Sequence, residues 1–189
     1  MNKEIRGKMT LEEIVAEYKQ KHVIGEKGCF KDYLDLHSIT DCVTGHTNNP
    51  RKRKDGSWYY YKHPHQWRVS FSTIENAIDA LTDIEETLNN AKSFEELHEI
   101  VKGVNVKGFG ALAKYDFSLR YSLHRNVAPK DFVHTHAGAF TGAKAMRDAG
   151  YIKDVDNLFQ IPIEAFPSII RELGAADIEN LLCIYKYNF

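Results

Sequence analysis

The chain is poor in the residues that build covalently stapled architectures. Its three cysteines, Cys29, Cys42 and Cys183, are odd in number, widely spaced and without a C-x-x-C pair. That pattern argues against a disulfide framework, a zinc knuckle or an iron–sulfur loop, and fits a reducing cytoplasm. No apolar run approaches membrane-spanning length, and the N-terminal MNKEIRGKMTLEEIV alternates charge with apolar residues where a signal peptide has an apolar core. A cytoplasmic protein without a membrane partner is therefore expected. Charge of one sign is also lacking. The formal net charge is -1, so no overall basicity points to nucleic acid, and only a local concentration of cations can do so. Repeats, low-complexity tracts, flexible linkers and long strand alternation are absent as well.

What is present suffices for a core: 189 residues, 43% of them hydrophobic, with ten Phe and ten Tyr. Three Ser/Thr-x-x-Glu patterns, Thr10 with Glu13, Ser72 with Glu75 and Ser93 with Glu96, read as capping boxes before helix-period segments. The second opens STIENAIDALTDIEETLNNA, where Ile74, Ala77, Ile78, Leu81, Ile84 and Leu88 form one stripe. The third opens SFEELHEIVKG, ended by Gly103. Further helices are expected from about Gly110 to Leu123, Ala137 to Ala149, Ile163 to Leu173 and Asp177 to Tyr185. The expected fold is a single, mainly α domain over residues 1–189 with one irregular insert at 44–69.

That insert concentrates the cations. Between Pro50 and Arg68 it carries Arg51, Lys52, Arg53, Lys54, Lys62 and Arg68 against Asp55 alone, interleaved with Trp58, Tyr59, Tyr60, Tyr61 and Trp67. Asp55-Gly56 favours a turn, so the flanks can pair as a short hairpin. Basic groups neutralise phosphates while aromatic faces stack on exposed bases. The plainer alternative is a solvated loop with a few anchored aromatics. Acids at Glu164, Glu172, Asp177 and Glu179 gather elsewhere and suggest a two-sided charge distribution.

Residues 104–122, VNVKGFGALAKYDFSLRYS, set Gly108 and Gly110 around Phe109 between two helices, beside Lys107. Such a turn presents free N–H groups at a helix start and can hold a phosphate, although close helix packing needs the same glycines. The stretch VKGFGALAKYDFSL resembles the hairpin and second helix of the helix-hairpin-helix DNA glycosylase superfamily. DFVHTHAGAFTGAKAM, residues 131–146, occupies the place of the segment that carries that family's catalytic aspartate. The likeness covers residues 93–146 and implies a glycosylase-like helical fold, a DNA partner and chemistry at a base or glycosidic bond. The chain departs from the pattern in its reactive groups. The family's Schiff-base lysine position holds Leu112, with Lys114 further along, so no lysine-based lyase is implied. The aspartate position is best matched by His136, with Asp131 displaced before it, and the four-cysteine cluster of some members is lacking. The chain also resembles bacterial and phage proteins that share a YD..LR stretch, an HAG stretch and a terminal CIYK, here Tyr115-Asp116, Leu119-Arg120, His136-Ala137-Gly138 and Cys183 to Lys186. That likeness brings no activity with it.

Asp116 and Arg120 stand four residues apart on one helix, which gives either an ion pair on a wet face or a functional pair, Arg120 clamping an anion and Asp116 orienting an imidazole. His63 and His65 echo His134 and His136, and two His-x-His pairs suggest a four-nitrogen metal site as an alternative. His65 and Gln66 otherwise offer hydrogen bonds to a base. Cys183 reads as core, while Lys186 and Tyr187 are more distant cleft candidates. The sequence thus supports a protein that binds nucleic acid or a nucleotide and acts, if catalytic, on a base or glycosidic bond. His136 and Asp116 are its candidate catalytic groups. Its candidate binding groups are His65, Gln66, Lys107, Gly108, Gly110, Tyr115, Arg120 and His134, with Arg51, Lys52, Arg53, Lys54 and Trp58 on the nucleic acid. No cofactor is expected. A non-enzymatic protein that sequesters a nucleotide ligand or a protein partner is the first alternative, and a His-rich metal enzyme the second.

Overall fold

The computed structural model describes residues 9–23, 33–153 and 155–189; Cys29 and the first eight residues of the charged N-terminal stretch lie outside them. The chain forms two compact units. One, here the central unit, is Phe30–Ala128; the other, the terminal unit, joins Met1–Cys29 to Pro129–Phe189. The helix-hairpin-helix-like stretch 93–146 therefore runs through the boundary between them.

In chain order the elements begin with α1 (Leu11–His22), α2 (Ile39–Thr44), strands β1 (Arg51–Lys52) and β2 (Trp58–Tyr59), and a 3-10 turn at Pro64–Gln66. The central unit continues with α3 (Phe71–Thr82), α4 (Glu85–Asn90), α5 (Phe94–Gly103) and α6 (Ala111–Leu123). The terminal unit adds β3 (Phe132–His134), α7 (Ala137–Asp148), β4 (Gln160–Pro162), a 3-10 turn at Ile163–Ala165, α8 (Ser168–Arg171) and α9 (Ala175–Ile184). The protein is mainly helical, and its described strands form two antiparallel two-stranded ladders, β1 with β2 and β3 with β4.

Local chemistry explains most boundaries. Thr10 and Glu13 form a reciprocal capping box at α1. Ser93 caps α5 through Glu96 N–H, and the Glu96 carboxylate takes the N–H of Lys92 rather than that of the cap itself. The expected box at Ser72 is displaced: Ser70, extended at φ -66 and ψ 158, accepts from Thr73 N–H, so α3 starts at Phe71 and Ser72 lies inside its first turn. The long stripe after it is broken in two at Asp83 and Ile84, where the ladder tightens to an i to i+3 bond from Ile84 N–H to Leu81 C=O. Leu81 and Leu88 nevertheless both stay buried. Expected helix 163–173 is likewise divided, because Pro167 has no N–H with which to continue it.

The terminal unit closes around Ile14, Tyr18, Val133, Met146, Ile161, Ile178 and Leu182, all essentially buried. Helices α7 and α9 approach so closely that a Cβ built on Gly142 falls 2.2 Å from the Leu182 carbonyl oxygen. In the central unit α6 is enclosed, with Tyr115 through Ser122 all buried. That enclosure places Asp116 and Arg120 in the interior, not on a wet face.

Candidate nucleic-acid interface and buried polar network

The basic insert folds as the hairpin its Asp55-Gly56 turn suggests. Arg51 pairs with Tyr59 and Lys52 with Trp58. The Asp55 carboxylate accepts from the N–H and hydroxyl of Ser57 at 2.9 and 2.7 Å, which stabilises its ionised form and lowers its pKa. Asn49 extends the ladder with its side chain, giving its amide N–H to Tyr61 C=O and Thr44 hydroxyl and taking Tyr61 N–H. The hairpin is thereby pinned to the end of α2.

Cations and rings alternate in contact on this hairpin. The Arg51 guanidinium lies 4.8 Å from the Tyr61 ring centroid, Lys52 ammonium 5.7 Å from Trp58, and Arg53 5.1 Å from Tyr59. All three fall within the roughly 6 Å over which a ring face attracts a cation. Trp58 remains 63% exposed and Trp67 70%, so large apolar rings stand in solvent beside cations. Lys54 is exposed at the turn.

Behind the hairpin lies a polar network. Arg120 has no exposed surface. Its Nη1 donates to Cys42 C=O at 3.0 Å, and its Nη2 to Gln66 Oε1 at 3.3 Å and to the Tyr33 hydroxyl at 3.5 Å. Nη2 also stands 3.6 Å from Asp116 Oδ2. Nε is buried with no hydrogen-bond acceptor among the described residues. Asp116 Oδ2 accepts from Gln66 Nε2 at 2.9 Å and faces His65 Nδ1 at 3.1 Å. With the carboxylate ionised, Nδ1 carries the proton, which leaves Nε2 as the acceptor nitrogen of a half-exposed imidazole. His63 takes the His65 N–H on its Nδ1 at 3.3 Å, and its Nε2 lies 3.5 Å from the Tyr33 hydroxyl.

Burial alone pushes the Asp116 carboxyl up, but the His65 hydrogen bond and the Arg120 charge outweigh it, and the pKa lies below its ordinary value. Burial also opposes the Arg120 charge, and Tyr33 and Asp116 reverse that and raise its pKa. The His63 imidazole is pushed down to about 4, first by burial and then by the Arg120 charge, so it is neutral at pH 7. Burial drives the Cys42 thiol up to about 12, and Cys42 Sγ donates to Leu36 C=O; this cysteine is packing, not nucleophile.

A glycine permits the arrangement. Gly45 ends α2 at φ 71, where an added Cβ meets His63 Cβ at 2.7 Å and Arg120 Cζ at 2.9 Å. Only a residue without a side chain lets the α2 end and the guanidinium approach this closely.

Sequence-derived candidates thus fall into three places. His65, Gln66, Asp116 and Arg120 converge in the network. Gln66 is buried, with one amide N–H on Asp116 and its carbonyl oxygen accepting from Arg120, so both ends of the amide expected to face a base are engaged inside the central unit. Lys107, Gly108 and Gly110 form the turn before α6, exposed at all three positions. Gly108 has φ 88, the Lys107 carbonyl takes the Thr73 hydroxyl, and Gly110 caps α6 without a side chain. Tyr115 is buried edge-on to Phe94 and His98. His134 and His136 belong to the terminal unit, His134 buried in β3 and His136 at the N-cap of α7. Cys183, partly buried on α9, packs where a Gly138 Cβ would come 2.6 Å from its Sγ and 3.3 Å from Lys186 Nζ; Tyr187 is 84% exposed. Asp177 is buried and accepts the Tyr18 hydroxyl at 2.6 Å, so it adds nothing to an acidic surface.

No group of three or more His, Cys, Asp and Glu able to hold a metal occurs among the described residues; His63 and His65 stand in one unit, His134 and His136 in the other. No described helix is long and apolar enough to cross a membrane. Sequence reasoning missed Tyr33 and Gly45, which no periodicity marks, and named His63 only as a candidate metal ligand. Only the TGH at 44–46, a glycine at a helix end, hinted at one of them. Comparisons with family models, with curated proteins and with solved structures find no significant match.

Proposed function

We propose that the central unit binds nucleic acid through the Arg51–Tyr59 hairpin and engages unpaired rather than duplex strands. One observation carries this reading: three cation–ring pairs on one short hairpin, one of them on the exposed Trp58 ring. Such a surface supplies charge for the backbone and faces for bases at the same place. The likeness of residues 93–146 to helix-hairpin-helix glycosylases supports the same class of partner. The test is single-strand affinity against salt. Affinity falls linearly on a log–log plot, with a slope of about -0.7 per phosphate contacted. Reversing Arg51, Lys52, Arg53 and Lys54 to Glu flattens that slope and weakens binding about tenfold or more at low salt. Salt-insensitive binding, or unchanged binding in the reversed variant, sinks the proposal and favours a protein that sequesters a nucleotide or a partner protein.

A second reading, proton transfer on the bound strand, is favoured by the Asp116–His65 pair. A buried carboxylate that orients a half-exposed imidazole is the arrangement a general acid–base needs. Asp116 itself is enclosed by donors and acts as a positioning residue. If a base is excised, abasic sites accumulate with the wild-type protein and vanish in His65→Ala. Loss of abasic sites in His136→Ala but not in His65→Ala assigns the chemistry to the terminal unit instead.

A further inference from the structure

Beside the hairpin, Pro50, Trp58, Tyr59, Tyr60, Phe71 and Glu75 line a cleft of about 370 Å³, within the roughly 300–1,000 Å³ of small-ligand pockets. Its walls are four aromatic rings and a proline. Its one charged wall residue is Glu75, an exposed carboxylate near the start of α3. The cations surround it instead of lining it: Lys52 lies against the Trp58 ring, Arg53 against Tyr59, and Lys62 4.7 Å from the Phe71 centroid. Lys62 is held there by Val69 C=O at 2.6 Å and Trp67 C=O at 3.4 Å. Phosphates on the rim, a planar apolar body between rings and an N–H edge towards a carboxylate together describe one kind of occupant, a nucleobase on its strand.

The polar groups narrow the choice further. A carboxylate only accepts hydrogen bonds. Tyr60 stays a phenol and a donor: burial first, then the negative charges of Glu75 and Asp79, raise its pKa. Two adjacent acceptors and one donor match the Watson–Crick edge of guanine, which offers N1–H and N2–H to the carboxylate and O6 to the hydroxyl. Adenine and cytosine set an acceptor ring nitrogen against the carboxylate. Uracil and thymine place their single N–H between two carbonyls.

Resting on the proposed function above, we propose that this cleft is the base-selective subsite of the nucleic-acid interface and takes an unpaired guanine, with Glu75 reading its N–H edge and Trp58 and Phe71 covering its faces. Tyr60 stands only five residues before His65, so at about 3.3–3.6 Å per residue the subsite and the imidazole share one short stretch of chain.

The test follows the intrinsic fluorescence of Trp58 in a Trp67→Phe background while thymine heptanucleotides carrying a central guanine, inosine or adenine are titrated in, as DNA and as the uridine RNA equivalents. Guanine is expected to quench Trp58 and to bind at least about fivefold tighter than adenine, the lower end of what a bidentate base contact discriminates. Inosine, which lacks the N2 amine, falls between them. Glu75→Gln brings guanine and adenine to within about twofold while leaving the salt slope unchanged. Equal binding of guanine and adenine, a guanine preference that survives Glu75→Gln, or guanine-dependent binding without a Trp58 signal overturns the assignment. Salt-dependent, hairpin-dependent binding that ignores the base overturns the guanine subsite alone. Absence of binding to every strand by the folded protein overturns the proposed function with it.

Discussion

Replacing Asp116 by alanine leaves the fully buried Arg120 guanidinium without this counter-charge, and the remaining acceptors, Cys42 C=O, Gln66 Oε1 and the Tyr33 hydroxyl, are neutral. Breaking one side of a buried pair costs about 3–5 kcal/mol. That loss is expected for Asp116→Ala in urea unfolding; a loss below about 1 kcal/mol shows that the pair is wet after all. Gly45 and Gly56 provide an internal control. Both have positive φ, 71 and 87, but an added Cβ at Gly45 strikes His63 and Arg120 while at Gly56 it meets nothing within 4 Å. Gly56→Ala therefore costs only the left-handed backbone, about 1–2 kcal/mol. Gly45→Ala adds an overpacking cost of about 1–3 kcal/mol to it. Equal melting temperatures for the two variants contradict the close approach at Gly45.

At the scale of elements, the start of α3 separates two serines that the sequence confuses. Ser70→Ala removes the hydroxyl that takes Thr73 N–H and is expected to cost about 0.5–2 kcal/mol. Ser72→Ala is expected to stay within about 0.5 kcal/mol of wild type; the opposite order in chemical denaturation restores the Ser72 cap. Periodicity made the helices legible, because a stripe of buried side chains is written locally every three to four residues. The hairpin was legible from Asp55-Gly56 for the same reason. Breaks at Asp83–Ile84 and Pro167 were less so, since apolar spacing continues through them. The site was half legible. The spacing of Asp116 and Arg120 shows that they are neighbours, but which face of α6 they occupy depends on α2 and the loop at Tyr33, and no local pattern encodes that. Glu75, seen only as part of a capping box, owes its place in the cleft to residues 50–60 folding over α3.

For the whole molecule, the buried titratable groups set the acid limit of stability. His63, faced by Arg120, His65, Asp116, His46 and Tyr33, has its pKa lowered to about 4, against about 6.5 in the unfolded chain. Between those values the unfolded state binds the extra proton, so stability is full above about pH 6.5 and declines as pH falls towards 4. Asp116, whose pKa is also depressed, extends the decline below its unfolded value. Thermal melts from pH 7 to 4 are expected to show this slope, and His63→Gln to flatten it above pH 4. An unchanged slope in that variant assigns the acid sensitivity to other groups.

The network around Arg120 also bears on time. The hydrogen bonds that tie Asp116 and Arg120 to Gln66, Cys42 and Tyr33 join residues separated by 50 to 87 positions, and contacts this distant in sequence close loops that nearer contacts have already shortened. Interactions absent from the folding transition state act on the rate of unfolding and leave the rate of folding nearly untouched. In stopped-flow chevrons Asp116→Asn is accordingly expected to steepen the loss of the native state while refolding proceeds at close to the wild-type rate. A guanidinium sealed inside the central unit then serves less to build the hairpin's platform than to set how long it lasts.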